Sequence, residues 1–226
     1  MLRNGRDLVI KSVDNTQSIR KQLFGGADMR LLRKCPCPVW LIQSTQQQGC
    51  RDILVALDYE PENTENELLN RQLLEMATSL ALADLSELHI VHAWRLEGES
   101  FLRSPRLGHT TAEVDEMVQE EELKRKGWLT KLVDRYCAVQ GKEAADYLKP
   151  QLHLVKGHAR NVVPECAMKL GAELVVMGTI ARTGIPGFII GNTAEDILNQ
   201  IDCSVLAIKP AGFVSPVTLD RYDINS

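Results

Sequence analysis

No stretch of this 226-residue chain approaches the roughly 18 consecutive apolar residues that a membrane-spanning helix needs. The opening Met1-Leu2-Arg3-Asn4-Gly5-Arg6-Asp7 lacks the apolar stretch of a secretory leader. A cytoplasmic protein that does not embed in membranes is therefore expected. Six cysteines are too few for a disulfide scaffold in a chain of this length. Cys35-Pro36-Cys37 is the one close pair, and no neighbouring His or Cys pair completes a tetrahedral site. Cys50, Cys137, Cys166 and Cys203 stand alone and read as small apolar residues. His89, His92, His153 and His158 sit in or just after strands; His89 and His153 read as strand-face residues, a site from His92 and His158 stays open as an alternative, and no metal site is expected. No nucleophile sits with a base and an orienting acid, so no catalytic residue and no enzyme is expected. Residues 1–50 carry eight Lys/Arg against three Asp/Glu, but those charges are spread along the sequence with only Phe24 among them. Nucleic acid is therefore not an expected partner. The remaining residues carry 18 against 27, for a net charge of −4.

What is present is an alternation of strand-like and helix-like patterns over residues 51–210. Asp52–Asp58 is a continuous apolar run that ends in an acid, as in a strand buried on both faces. Asn63–Ala83 places leucines and alanines at helical spacing. Glu87–Trp94 predicts the next strand, residues 95–110 a loop, and Thr111 the N-cap of a long helix to Gln140. That helix is acidic first and basic around 124–131, which suits its dipole. A strand at 151–156, a helix from Asn161 to Leu170 stopped by Gly171, and a strand at 174–177 follow. A helix at 193–201 and a strand at 205–209 complete the pattern. The expected fold is α/β: an open five-stranded parallel sheet with helices on both faces. Ligands of such sheets sit at the carboxyl ends of the strands, where Asp58, Ala93 and Gly178 fall.

The strand end Met177-Gly178 leads through Ala181, Arg182 and Gly184 to Gly191-Asn192-Thr193. A strand, a glycine-containing loop and a helix start can form an anion site, because the first helical N–H groups are unpaired. Asn192 or Thr193 is a suitable N-cap in its own right. Ala181 stands where a second glycine would ease the approach of a phosphate.

An internal repeat accounts for the beginning of the chain. At a constant offset of 166, Asp7–Lys11 matches Glu173–Met177, Gly25 matches Gly191, and Cys37–Ile42 matches Cys203–Ile208. Residues 1–48 therefore read as the strand-helix-strand remnant of an earlier copy, most of which is missing. Residues 49–212 read as the complete unit, and 213–226 as a polar tail. A remnant of this size buries too little to stand alone. It is expected to pair strand 39–42 with strand 205–208, within the chain or between chains.

The strand order, the acid at 58, and the Gly178…Gly191 loop resemble the universal stress protein family, especially its tandem-domain members. So do Leu31-Leu32-Arg33-Lys34-Cys35-Pro36 and the ending Ile208-Lys209-Pro210. Nucleotide-binding members carry Gly-x2-Gly-x9-Gly-Ser/Thr. Here Ala181 takes the second glycine and Asn192 the Ser/Thr. The resemblance implies adenine and ribose contacts at Asp58 and Ala93. It implies phosphate contacts along Met177, Gly178, Ala181, Arg182, Gly191, Asn192 and Thr193, with ATP as the candidate cofactor. It also implies a non-enzymatic stress-response role through dimerisation at the last strand and ligand-modulated contact with other stress proteins. Two alternatives stand beside it: an ATP switch with weak hydrolysis or autophosphorylation, and a small-molecule or lipid carrier.

Overall fold

The computed structural model describes residues 7–13, 24, 26–43, 50–140, 142–179 and 190–217. The strands are β1 (Val9–Val13), β2 (Val39–Gln43), β3 (Asp52–Leu57), β4 (Glu87–Trp94), β5 (Gln151–Lys156), β6 (Leu174–Gly178) and β7 (Ser204–Ile208). The helices are α1 (Gly26–Lys34), α2 (Thr64–Asp84), α3 (Glu99–Leu102), α4 (Thr111–Gln140), α5 (Lys142–Leu148), α6 (Ala159–Leu170) and α7 (Asn192–Leu198). One sheet holds all seven strands in the order β1-β2-β7-β6-β3-β4-β5. The five expected strands are parallel to one another. The sheet is nevertheless mixed rather than wholly parallel, because β2 meets β7 antiparallel.

The strands are apolar on both faces because helices cover both. Leu54, Val91, Val175 and Val205 pack with Val162, Val163 and Ala167 of α6, Ile197 of α7 and Leu32 of α1. Ile53, Val55, Ile90 and Val176 pack with Leu73, Leu74 and Ala77 of α2 and Leu129 and Leu132 of α4. Such continuous burial is what the unbroken apolar runs required.

The helix ends follow local hydrogen bonding. Asn63 caps α2 by accepting from the Glu65 and Asn66 N–H groups. Before α4, Thr110 Oγ1 accepts from the Glu113 N–H and Glu113 Oε2 accepts from the Thr110 N–H. This reciprocal pair makes Thr110 the cap, one residue before the expected Thr111. Three further boundaries move. His158 rather than Asn161 precedes α6, Gly191 rather than Asn192 precedes α7, and the 95–110 loop contains α3 and a 3₁₀ turn at Pro105–Leu107. Gly171 stops α6 as expected, at φ 64°.

The register of the β2–β7 pairing is centred on two residues 166 positions apart. Trp40 lies opposite Leu206, its own equivalent at offset 166, with Val39 opposite Ala207 and Leu41 opposite Val205. β1 then pairs parallel to β2 at the edge of the sheet. Lys209 Nζ donates to the Leu32 and Cys35 carbonyls at the end of α1, and Arg33 pairs with Glu195 of α7 at 2.7 Å. The expected pairing of strands 39–42 and 205–208 is thus present, and it forms within the chain.

Candidate functional site

The strand order within the five-stranded part reverses between β3 and β6. In doubly wound sheets a ligand crevice opens at such a reversal, beyond the carboxyl ends of the strands. The register brings the expected residues to that edge. Leu57 pairs with His92 and Ala56 with Met177, so Asp58, Ala93 and Gly178 end three adjacent strands nearly level. Met177 lies one residue inward and is buried at 3% exposure among the core residues beneath α6 and α7. Its side chain belongs to that core rather than to the edge.

Asp58 is held by its own backbone surroundings. Its Oδ1 accepts from the Tyr59 N–H at 2.9 Å. Its N–H donates to Asn70 Oδ1 at 3.3 Å, and its carbonyl accepts from Asn70 Nδ2 at 2.7 Å. Asn70, buried on α2, therefore bridges both backbone groups of Asp58 and fixes the turn after β3.

Gly178 has a packing reason independent of any ligand. A Cβ there would lie 2.8 Å from Leu69 Cδ2, so the Leu69 side chain of α2 would have to shift to admit one. Thr179 follows, with its N–H donating to the Ile208 carbonyl and its carbonyl accepting from the Gly191 N–H. Its side chain is 1% exposed, and Oγ1 has no hydrogen-bond partner among the described residues. A buried hydroxyl without a partner costs roughly 1–3 kcal/mol. Gly191 is buried, whereas Asn192 and Thr193 are exposed on the first turn of α7, where the leading N–H groups have no partner inside the helix. Ala181 and Arg182 lie outside the described residues.

Sequence reasoning missed a second concavity beside this edge. A cleft of about 530 Å³ opens between the β3–α2 turn and the α2–α4 pair, lined by Tyr59, Asn70, Lys124, Trp128, Lys131 and Arg135 among others. Tyr59 and Trp128 meet edge to face at 5.0 Å, and His92 meets Trp128 likewise at 5.0 Å. The Arg125 guanidinium covers the Tyr59 ring at 4.3 Å. His92 itself is tied to the Leu57 carbonyl at 3.0 Å, and His158 lies 3.3 Å from Arg95. The basic residues at 124–131 were legible only as dipole complement. Nothing in the sequence spacing brings Trp128 to Tyr59.

Residues 49–209 match the model of the universal stress protein family. The chain is 29% identical over 213 residues to the universal stress protein E homolog of Haemophilus influenzae, covering 92% of this chain and 63% of that protein. It is 29% identical over 221 residues to universal stress protein E of Escherichia coli strain K12, covering 97% and 66%. Among solved structures it is similar to a functionally unknown protein from Pseudomonas aeruginosa PAO1, at TM-score 0.69 and 28% identity, covering 92% and 64%. The chain thus spans about two thirds of the length of these relatives.

Proposed function

The chain belongs to the universal stress protein family, and from that premise we propose that it works in stress response as a ligand-modulated interaction protein rather than as an enzyme. The ligand site of this reading is the crevice at the ends of β3, β4 and β6, and the candidate ligand is an adenine nucleotide such as ATP. The observation that carries it is the buried Thr179 hydroxyl, unpartnered among the described residues, beside Gly178 and the Gly191–Asn192 helix start. A phosphate oxygen would accept that proton and the leading N–H groups of α7. Asp58 and the Ala93 backbone would meet the nucleoside, and Ala181 and Arg182 would flank the phosphates from the intervening loop. Asn192 can donate to phosphate as the family's Ser/Thr does, and Ala181 carries one methyl group where the family's motif has glycine.

In this reading residues 1–48 are the end of an earlier copy of the 49–212 unit. The pairing of β2 with β7 takes the place that a second chain would otherwise occupy. Bound nucleotide stabilises the unit by mass action, about 2.7 kcal/mol at a ligand concentration 100 times Kd. That stabilisation biases which partners the protein holds.

The test is thermal unfolding with increasing ATP. The parent chain should rise in Tm. Asn192→Asp should lose the rise, because it sets a carboxylate against the phosphates, while its own charge suits a helix N-terminus and keeps α7 intact. Ala181→Gly should enlarge the rise. No shift at millimolar ATP would remove the nucleotide reading.

The cleft between α2 and α4 supports a second reading, a small-molecule carrier. Its aromatic floor and its Lys124, Lys131 and Arg135 rim suit a ligand with a ring or acyl body and an anionic group. Such a ligand would quench Trp128 fluorescence, and Trp128→Leu would remove the quenching without altering the response to ATP.

A further inference from the structure

The opposite, amino-terminal edge of the same strands gathers a cluster that neither reading uses. Asp52 begins β3, Glu87 begins β4, and His89 lies two residues further along β4. Alternation along a strand puts Glu87 and His89 on one face, and the register places Asp52 opposite Glu87 on that same face. On β5 the same rule adds Gln151 and His153, since Gln151 pairs with His89 and His153 with Val91.

These side chains converge on one nitrogen. His89 Nε2 lies 3.3 Å from Asp52 Oδ1 and 3.9 Å from Glu87 Oε2. The candidate donor atoms of the three residues all lie within 4.8 Å of one another. A tetrahedral ion with bonds of about 2.0–2.1 Å holds its ligand atoms about 3.3 Å apart, so small side-chain rotations bring this set to that spacing. The His89 side chain is 4% exposed, that of Asp52 30% and that of Glu87 69%, which leaves one side open to solvent.

The surroundings have the form of an outer ligand shell. His89 Nδ1 lies 3.2 Å from His153 Nε2. With the Nδ1 proton donated to His153, the lone pair of His89 Nε2 faces both carboxylates. Gln151 Nε2 donates to Glu87 Oε2 at 3.1 Å and fixes that carboxylate. Outer partners of this kind set the tautomer and orientation of a metal-binding imidazole. Charge points the same way. Among the described residues neither Asp52 nor Glu87 makes an ion pair with Lys or Arg, and both lie within 4 Å of His89 Nε2. Two carboxylates and an imidazole lone pair around one open point favour a cation there.

We propose that Asp52, Glu87 and His89 form a divalent transition-metal site, with Zn²⁺ as the ion whose preferences it fits best. One imidazole, two carboxylates and water from the open side complete a four-coordinate oxygen and nitrogen set. The site is structural: it clamps the first residues of β3 and β4 and, through His153, β5. No reaction is attached to it.

Zn²⁺ titration of the full chain, with a chromogenic chelator as competitor, tests the site, and Co²⁺ reports the ligand type by its visible spectrum. One equivalent should bind and raise Tm, and Co²⁺ should show no thiolate charge-transfer band. Glu87→Gln combined with Asp52→Asn should weaken binding by roughly tenfold or more, since both changes keep shape and remove charge. His153→Ala should weaken it roughly 10- to 100-fold. Absence of stoichiometric binding, parental affinity in the double variant, or a thiolate band from the cysteines would each overturn the proposal.

Discussion

Lys209 follows the last strand with its ammonium driven into the carbonyl end of α1, 8% exposed and 4.6 Å from the Phe213 ring. Burial lowers its pKa from 10.5 to about 8, against the upward pull of the Cys35 and Cys37 thiols. A lysine whose folded pKa lies below its unfolded value binds fewer protons when folded. Its contribution to stability therefore increases as pH rises from about 8 towards 10.5. Burial acts oppositely on the thiols: it raises Cys37 to about 11 and Cys203 to about 12, so their contribution falls once unfolded thiols ionise near 9. Comparing the parent with Lys209→Met largely cancels the thiol part. Between pH 8 and 9 the parent should gain up to about 1 kcal/mol on the variant in denaturant unfolding, an upper bound because the site is not fully dry. Parallel pH profiles would remove this account of Lys209. Gly178, which the sequence marks as a candidate phosphate glycine, also meets α2: a Cβ there would lie 2.8 Å from a Leu69 methyl.

At the scale of elements, α2 ends on Leu85 in the left-handed region at φ 57°, although its side chain is 72% exposed. That conformation costs a non-glycine residue about 1–2 kcal/mol, and little burial offsets it. Leu85→Gly should therefore stabilise the chain by roughly 0.5–1 kcal/mol in denaturant unfolding, the gain being trimmed by glycine's unfolded entropy. The strands β3 to β7 and the helices α2, α4 and α6 were legible because their apolar runs and helical spacing are strong. Their ends were less so. Thr110, His158 and Gly191 take the cap positions because a cap is set by which oxygen or backbone turn meets the first N–H groups, and neighbouring Thr or Asn residues look alike in sequence. The short α3 and α5 lack enough turns to show a period. The cleft was hidden for a different reason, since Tyr59 and Trp128 meet only through the packing of α4 over the β3–α2 turn.

Across the whole molecule, β1, α1 and β2 extend the five-stranded unit into one seven-stranded sheet. The β2–β7 register centres on Trp40 and Leu206, equivalent positions of the repeat, which supports the reading of residues 1–48 as the end of an earlier copy. Removing residues 1–48 would leave β7 as a bare edge with its backbone groups along Val205, Leu206 and Ala207 unpaired on that side. The shortened chain should associate through that edge on a sizing column. A monomeric shortened chain would mean that β7 does not seek a partner. The proposed nucleotide site lies beyond the carboxyl ends of β3 and β6. Hydrogen exchange over residues 174–198, measured with and without saturating ATP, tests it most directly. The account predicts slower exchange from Gly178 to Thr193 with nucleotide, lost in Asn192→Asp. Identical exchange in both conditions would contradict it.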